Sequence, residues 1–248
     1  MGVLKFVQAN PTPRLRFETV ATSVGNLPTD AWTFAILAKR LGTGSSDPFS
    51  YIVNNDNIPW AGLSIDTNDN PNVDVGAGSH ATGSSLTSTT SPYLMVVSKT
   101  AGTTAPTISW KLGSGGAWTD ETHGTALPNM VAGDGPPCEW LEIGAWAAEA
   151  SGMNGWIGVV GIWSGAMSTA NKKLLDDNWR TSDWWNSAHG HPVFLMELNV
   201  AVVALVDLAA NVSNQTSATL PTLDATETLD SWNFNGIGGK AGSGVMGG

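Results

Sequence analysis

Charge is scarce in this sequence. Only 13% of its 248 residues are Asp, Glu, Lys or Arg, where an ordinary soluble domain has about a quarter. That shortage disfavours long helical bundles and coiled coils, which depend on Glu, Lys, Ala and Leu. Basic residues are the scarcer sign: 11 Lys and Arg stand against 21 Asp and Glu, a formal charge of −10. Nucleic acid and anionic membrane surfaces require clustered positive charge, so neither is expected as a partner. There is a single cysteine, Cys138. It excludes an internal disulfide and a thiolate metal cluster, and it reads as an inert thiol. Long apolar runs are missing too. The best candidate, Val193 to Ala210, is broken by Glu197, Asn199 and Asp207, which excludes a spanning helix. The amino terminus lacks a basic segment followed by an apolar one, so no secretory signal is expected and the chain should be made in the cytoplasm.

What is abundant is glycine (29), proline (13) and above all tryptophan (12). The patterning is that of strands. Leu15 and Phe17 alternate with Arg14, Arg16 and Glu18. Trp32, Phe34 and Ile36 alternate with Thr33 and Ala35, again at period two. Short strands are expected at 51–53 and 63–65, bounded by Asn, Asp and Gly clusters. Further strands are expected at 93–97, 107–112, from Trp140, over 155–163, and at 193–198 and 200–208. The glycines of the 155–163 run suggest close approach by other groups. One short helix is expected at 169–178, capped by Ser168, with Leu174 and Leu175 at helical spacing and Lys172 and Lys173 outward. Turn signals recur at the spacing of a sandwich. The fold class is therefore all-β, an antiparallel β-sandwich. Residues 1–13 form an amino-terminal arm and 14–234 a single domain, in which 192–234 add carboxyl-terminal strands. Residues 235–248 are a Gly-rich tail too poor in apolar surface to offset its ordering entropy.

The order of elements resembles laminin-G-like domains of the concanavalin A-like jelly-roll class. Leu15, Arg16 and Phe17, followed by residues 30–39 (DAWTFAILAK), are similar to that family's opening pair of strands. Residues 93–97 (YLMVV) are similar to its "W-h-h-v-a-v-t" strand, with Tyr93 in place of the usual Trp. Residues 141–144 (LEIG) fit "l-x-i-G". Residues 155–168 (GWIGVVGIWSGAMS) resemble the family's long strand running into its helix. The segment 192–216 looks like the carboxyl-terminal extension of jelly rolls found among phage structural proteins. The resemblance implies a jelly roll and, in some relatives, a calcium ion at a loop rim.

Laminarinase-type enzymes of this fold carry acids at alternate positions of one strand. Here Glu139 and Glu142 are three apart and point to opposite faces, and they read as solvated acids. No Gly-x-Ser-x-Gly elbow is present. His189 and His191 are separated by Gly190 and followed by Pro192, so they read as turn residues rather than metal ligands. Asp66, Asn68, Asp69, Asn70 and Asp74 form the one oxygen-rich stretch where calcium could sit, although such runs also make turns by bonding their own backbone. No cofactor is required by any motif.

The tryptophans are the most informative residues. Trp32, Trp156 and Trp163 lie in apolar strands and read as core. Trp60, Trp118, Trp184 and Trp185 stand beside small polar residues, where an indole either packs against a neighbour or stacks on the C–H face of a sugar. Asn54, Asn55 and Asp56 would add polar contacts near Trp60. With no catalytic constellation, the sequence is read as non-enzymatic. The expected role is a bacteriophage virion component, a capsid decoration or minor tail protein located on the virion. Its partners would be other virion proteins or copies of itself, with weak adhesion to host cell-surface glycans. The alternative is a free carbohydrate-binding, lectin-like module.

Overall fold

The period-two segments around Leu15 and Trp32 become strands in a computed structural model. It describes residues 2–7, 13–19, 30–43, 46–52, 59–75, 78–81, 85–113, 116–127, 140–145, 152–177, 184, 189–198, 212–215 and 220–232. The strands are β1 (Val3–Phe6), β2 (Leu15–Thr19), β3 (Trp32–Arg40), β4 (Ser46–Ile52), β5 (Pro59–Ile65), β6 (Pro71–Val75), β7 (Gly78–Ala81) and β8 (Tyr93–Lys99). They continue with β9 (Thr107–Leu112), β10 (Thr119–Thr122), β11 (Trp140–Ile143), β12 (Gly155–Ser164), β13 (Phe194–Glu197), β14 (Val212–Gln215) and β15 (Thr222–Asp224). Helix α1 (Thr169–Asp177) follows β12, and a 3-10 turn (Leu229–Trp232) follows β15. Residues 200–208, Cys138 and the 235–248 tail lie outside the described residues.

Two antiparallel sheets result. The eight-stranded sheet runs β10-β9-β8-β3-β12-β1-β15, with β13 also paired to β12, and the seven-stranded sheet runs β14-β2-β11-β4-β5-β6-β7. The all-β sandwich read from the sequence is the observed architecture. Its main core lies between the sheets: Leu15, Phe17, Leu63, Val73, Leu141 and Ile143 of one meet Phe34, Ile36, Met95, Ile108, Ile162 and Phe194 of the other. Trp32 stacks on Phe34 with ring centroids 4.2 Å apart. Arg40, wholly buried at the end of β3, ties the sheets together. It pairs with Asp69 in the β5–β6 turn (2.7 Å) and donates to the Leu86 carbonyl (2.7 Å).

A second apolar layer covers the outer face of the eight-stranded sheet. Ala35, Leu37, Leu94, Val96, Val159 and Leu195 meet Met167, Leu175, Trp184, Leu229 and Trp232. This explains why β8 and β12 are apolar at almost every position: a strand buried on both faces has no polar side to show. It also gives the glycines of β12 a purpose. Gly158 is the extra residue of a bulge against β3. A Cβ there would fall 2.3 Å from Leu229 Cδ2 and 2.9 Å from Trp232 Cζ3. A Cβ on Gly161 would fall 2.6 Å from the Trp163 ring and 3.3 Å from the Trp184 ring. The missing side chains are the sockets into which the covering layer fits.

Helix α1 departs from its expected orientation. Ser168 does cap it, accepting from the Asn171 N–H at 3.2 Å. Lys172, expected outward, is wholly buried, and Leu174, expected at the packed spacing, is 40% exposed. The reason lies in the strand beneath. Thr107, Ser109 and Lys111 alternate with the core residues Ile108 and Trp110 of β9 and line its α1 side. Lys172 Nζ donates to Thr107 Oγ1 (2.9 Å) and to the Thr107 carbonyl (3.2 Å). Lys111 pairs with Asp176, and Lys173 with Asp120 of β10 (2.6 Å). Burial pushes the Lys172 ammonium down to about 8, with Asp120 opposing and Lys173 adding to the shift.

Candidate functional site

With one sheet covered on its outer face by an apolar layer, the polar cross-strand positions fall to the other, where Glu142, Ser64 and Asn72 are buried. On the outer side of the seven-stranded sheet a single cross-strand row can be followed through the registers. Arg16 pairs with Glu142, Glu142 with Ser50, Ser50 with Gly62, Gly62 with Asp74, and Asp74 with Ser79. Each of these positions alternates with a core residue or its neighbour, such as Leu15, Phe17, Leu141, Ile143, Leu63 and Val73. The row is therefore polar at every strand it crosses except β5, where it is glycine. Ser64 and Asn72 form the adjacent step, with Asn72 Nδ2 donating to Ser64 Oγ at 3.0 Å.

Glu142 anchors one end of the row. It is wholly buried, with Arg16 Nε and Nη2 at 2.6 and 2.5 Å from its Oε1 and Arg14 Nε at 3.5 Å. This corrects the reading of Glu142 as a solvated acid. The sequence shows only its distance from Glu139, whereas the fold lays two arginines of β2 and its approach beside it. The pairing and hydrogen bonds with the arginines offset the cost of burying this carboxylate.

The candidate contact residues divide between the two sheets. Trp60 is the extra residue of a bulge: Tyr51 pairs with Ala61 and Ile52 with Pro59, leaving Trp60 between them. Such bulges re-aim a side chain and recur beside binding sites. Asn54, Asn55 and Asp56 belong by sequence to the same β4–β5 hairpin and lie outside the described residues, as does Trp185. The backbone of Trp140, two positions from Glu142, pairs with Ile52, so a second tryptophan position adjoins this hairpin. Sequence reasoning missed Trp140, Arg16 and Glu142 as a group because their proximity depends on pairing between distant segments.

Trp184 is not a surface contact. It is wholly buried, donates through Nε1 to the Leu175 carbonyl (3.1 Å), and sits 6.0 Å from the Trp163 ring. Trp118 is half-buried against the same covering layer. Neither belongs with Trp60, since both lie on the other sheet. Trp32, Trp156 and Trp163 are buried as expected.

The oxygen-rich stretch does not fit a calcium cage. Asp66 Oδ1 accepts from the backbone N–H groups of Asn68 (2.8 Å) and Asn70 (2.9 Å), and Oδ2 from Asn70 Nδ2 (3.1 Å). Asp69 faces Arg40. These carboxylates close a turn and pin it to the other sheet. His189 Nε2 lies 3.1 Å from the Ser164 carbonyl. Among the described residues no group of three or more His, Cys, Asp or Glu could hold a metal.

No protein-family profile matches the chain, and no curated protein does. Several solved structures do. One is a heptameric SAP-like pentraxin from Limulus polyphemus, at 14% identity and TM-score 0.48, covering 70% of this chain and 79% of that one. Another is Trypanosoma rangeli sialidase in complex with the inhibitor DANA, at 15% identity and TM-score 0.47, covering 70% of this chain and 26% of that one. A third is the NanB sialidase from Streptococcus pneumoniae, at 12% identity and TM-score 0.46, covering 68% and 26%. The chain thus spans about a quarter of the sialidases it matches, and the likeness is one of fold.

One expectation from the sequence is corrected here. The chain was read as non-enzymatic, and its structural neighbours include sialidases, which are enzymes. The exclusion had rested on finding no acid pair along one strand. Spacing along one strand does not show which residues pairing brings together from neighbouring strands, as it brings Arg16 opposite Glu142.

Proposed function

We propose that the chain is a carbohydrate-binding, lectin-like β-sandwich module, and that it binds on the outer side of the seven-stranded sheet around the β4–β5 hairpin. The observation that carries this reading is the cross-strand row Arg16, Glu142, Ser50, Gly62, Asp74 and Ser79. A hydroxyl-rich ligand is held by a small number of fixed donors and acceptors. Ser, Asp and Arg residues of the row offer both kinds, while the wholly buried Glu142 holds Arg16 in place. Gly62, on β5, places no side chain between its neighbours in the row. Trp60, at the bulge beside the row, supplies the indole on which a sugar face stacks. A virion surface, the setting expected from the sequence pattern, is one where such a module would meet host glycans.

The test is a glycan array followed by titration of the best ligand. The wild-type chain is expected to bind at least one saccharide, and Trp60→Ala and Asn72→Ala to weaken binding tenfold or more. Failure to bind any saccharide, or Trp60→Ala binding like wild type, would overturn the reading.

A further inference from the structure

A surface helix ordinarily docks through an apolar stripe. Helix α1 does not. Among its described residues Leu175 is the one buried apolar side chain, while Ala170 and Leu174 are exposed. Its other buried side chains are charged, Lys172 and Asp176. The sheet beneath answers them in kind. Lys172 meets Thr107, Asp176 meets Lys111, and Lys173 meets Asp120, which also accepts from Ser109 Oγ at 2.7 Å. A helix of nine residues is marginal in water by itself, so these contacts decide whether it persists.

The charges along this seam do not balance. Lys111 and Asp120 come from the sheet, and Lys172, Lys173 and Asp176 from the helix. The two aspartates are paired with Lys111 and Lys173. Lys172 is wholly buried, and its hydrogen-bond partners are neutral, the Thr107 hydroxyl and carbonyl. Burying a charge that lacks a paired counter-charge is costly. Burial accordingly pushes this ammonium down, with Asp120 opposing and Lys173 adding to the shift. Water removes the cost as soon as the helix lifts away. The docked helix therefore carries a penalty that its lifted state does not.

We propose that α1 is a releasable cover, which lifts from β9 and β10 as a unit while both sheets stay folded, and that the charge on Lys172 sets how readily it lifts. Lifting uncovers the Thr107, Ser109 and Lys111 side of β9. It also withdraws Leu175 from Trp184, whose Nε1 donates to the Leu175 carbonyl. The side of β9 uncovered is polar, so the step exposes little apolar surface and costs less than opening the core strands. The cover is loosest while Lys172 is charged. It tightens as pH rises past about 8, where the docked lysine gives up its proton before the lifted one does. The seven-stranded sheet takes no part, so this inference is independent of the carbohydrate reading.

Native-state hydrogen exchange on the full chain, read by mass spectrometry as protection factors in low urea, tests this. The α1 amides are expected to exchange well ahead of those of β3, β8 and β12. Their exchange should depend only weakly on urea, as for an opening that exposes little surface. Between pH 7 and pH 9 the α1 protection is expected to rise about tenfold. Lys172→Met is expected to raise α1 protection at pH 7 and to abolish that rise. Leu175→Ala, which keeps the charges and removes the apolar anchor, is expected to lower α1 protection about tenfold or more. Protection of α1 equal to that of the core strands with the same urea dependence would overturn the proposal. So would a pH rise that persists in Lys172→Met, or Leu175→Ala exchanging like wild type.

Discussion

Replacing Trp184 by Ala separates the two roles an indole could have in this chain. In the structure Trp184 is a structural plug: wholly buried, against Trp163 and the Gly161 socket, with its N–H on the Leu175 carbonyl. Removing a buried Trp side chain costs the lost transfer energy plus the cavity left behind, about 3–5 kcal/mol. The orphaned carbonyl at the end of α1 adds about 1 kcal/mol unless water reaches it. With a urea slope of about 3 kcal/mol/M, the midpoint should fall by more than about 1 M. Trp184→Phe keeps a ring in the socket and loses the hydrogen bond, so its loss should be about 1–2 kcal/mol. Equilibrium urea unfolding followed by far-ultraviolet circular dichroism reads both values. A Trp184→Ala chain within about 0.5 kcal/mol of wild type, with binding to a saccharide abolished, would refute the reasoning and return Trp184 to the surface.

Three further outcomes follow from the same packing. Gly158→Ala pushes a Cβ against Leu229 and Trp232 and should cost about 1–3 kcal/mol through overpacking, measured by urea midpoint; Gly158→Val should cost more. Tyr93→Phe should raise stability by about 1 kcal/mol, because the Tyr93 hydroxyl is buried without a hydrogen-bond partner among the described residues and burying it unsatisfied is costly. Stability should climb as pH rises from about 8 toward the ordinary lysine value of 10.5, because the unfolded chain binds the Lys172 proton more tightly than the folded one. Asp120 and Lys173 act on the group by their charges, and the Lys111–Asp176 pair packs on the same side of α1. Lys172→Met should flatten this climb, which amounts to 1–2 kcal/mol on the order of magnitude once solvent screening is discounted.

The sequence made some parts of this molecule legible and hid others for a physical reason. Structure that depends on neighbours in the chain is largely legible, although the amino-terminal residues expected as an arm supply β1 of the eight-stranded sheet. The alternation in β2 and β3, the Ser168 cap and the glycine-rich β12 all became what their local pattern implied. What was hidden depends on segments far apart in sequence. Lys172 turned inward because the face of β9 beneath it, some 60 residues earlier, is polar. Glu142 became buried because β2, on the far side of the chain, carries Arg16 into register with it. Trp184 looked like a loop residue because nothing in its own neighbourhood shows that β12 holds a socket for it. Trp60 could be picked out by type, since an indole among Asn and Asp is unusual, but not by its bulge, which exists only in the β4–β5 pairing.

The claim on which the functional account turns is that ligands meet the outer side of the seven-stranded sheet. The most direct measurement is an amide chemical-shift map of the isotope-labelled chain titrated with a saccharide that it binds. The account predicts that Arg16, Ser50, Trp60, Gly62, Ser64, Asn72 and Glu142 shift together and saturate with one dissociation constant. Shifts confined to α1, Trp118 and the covering layer of the other sheet would contradict it.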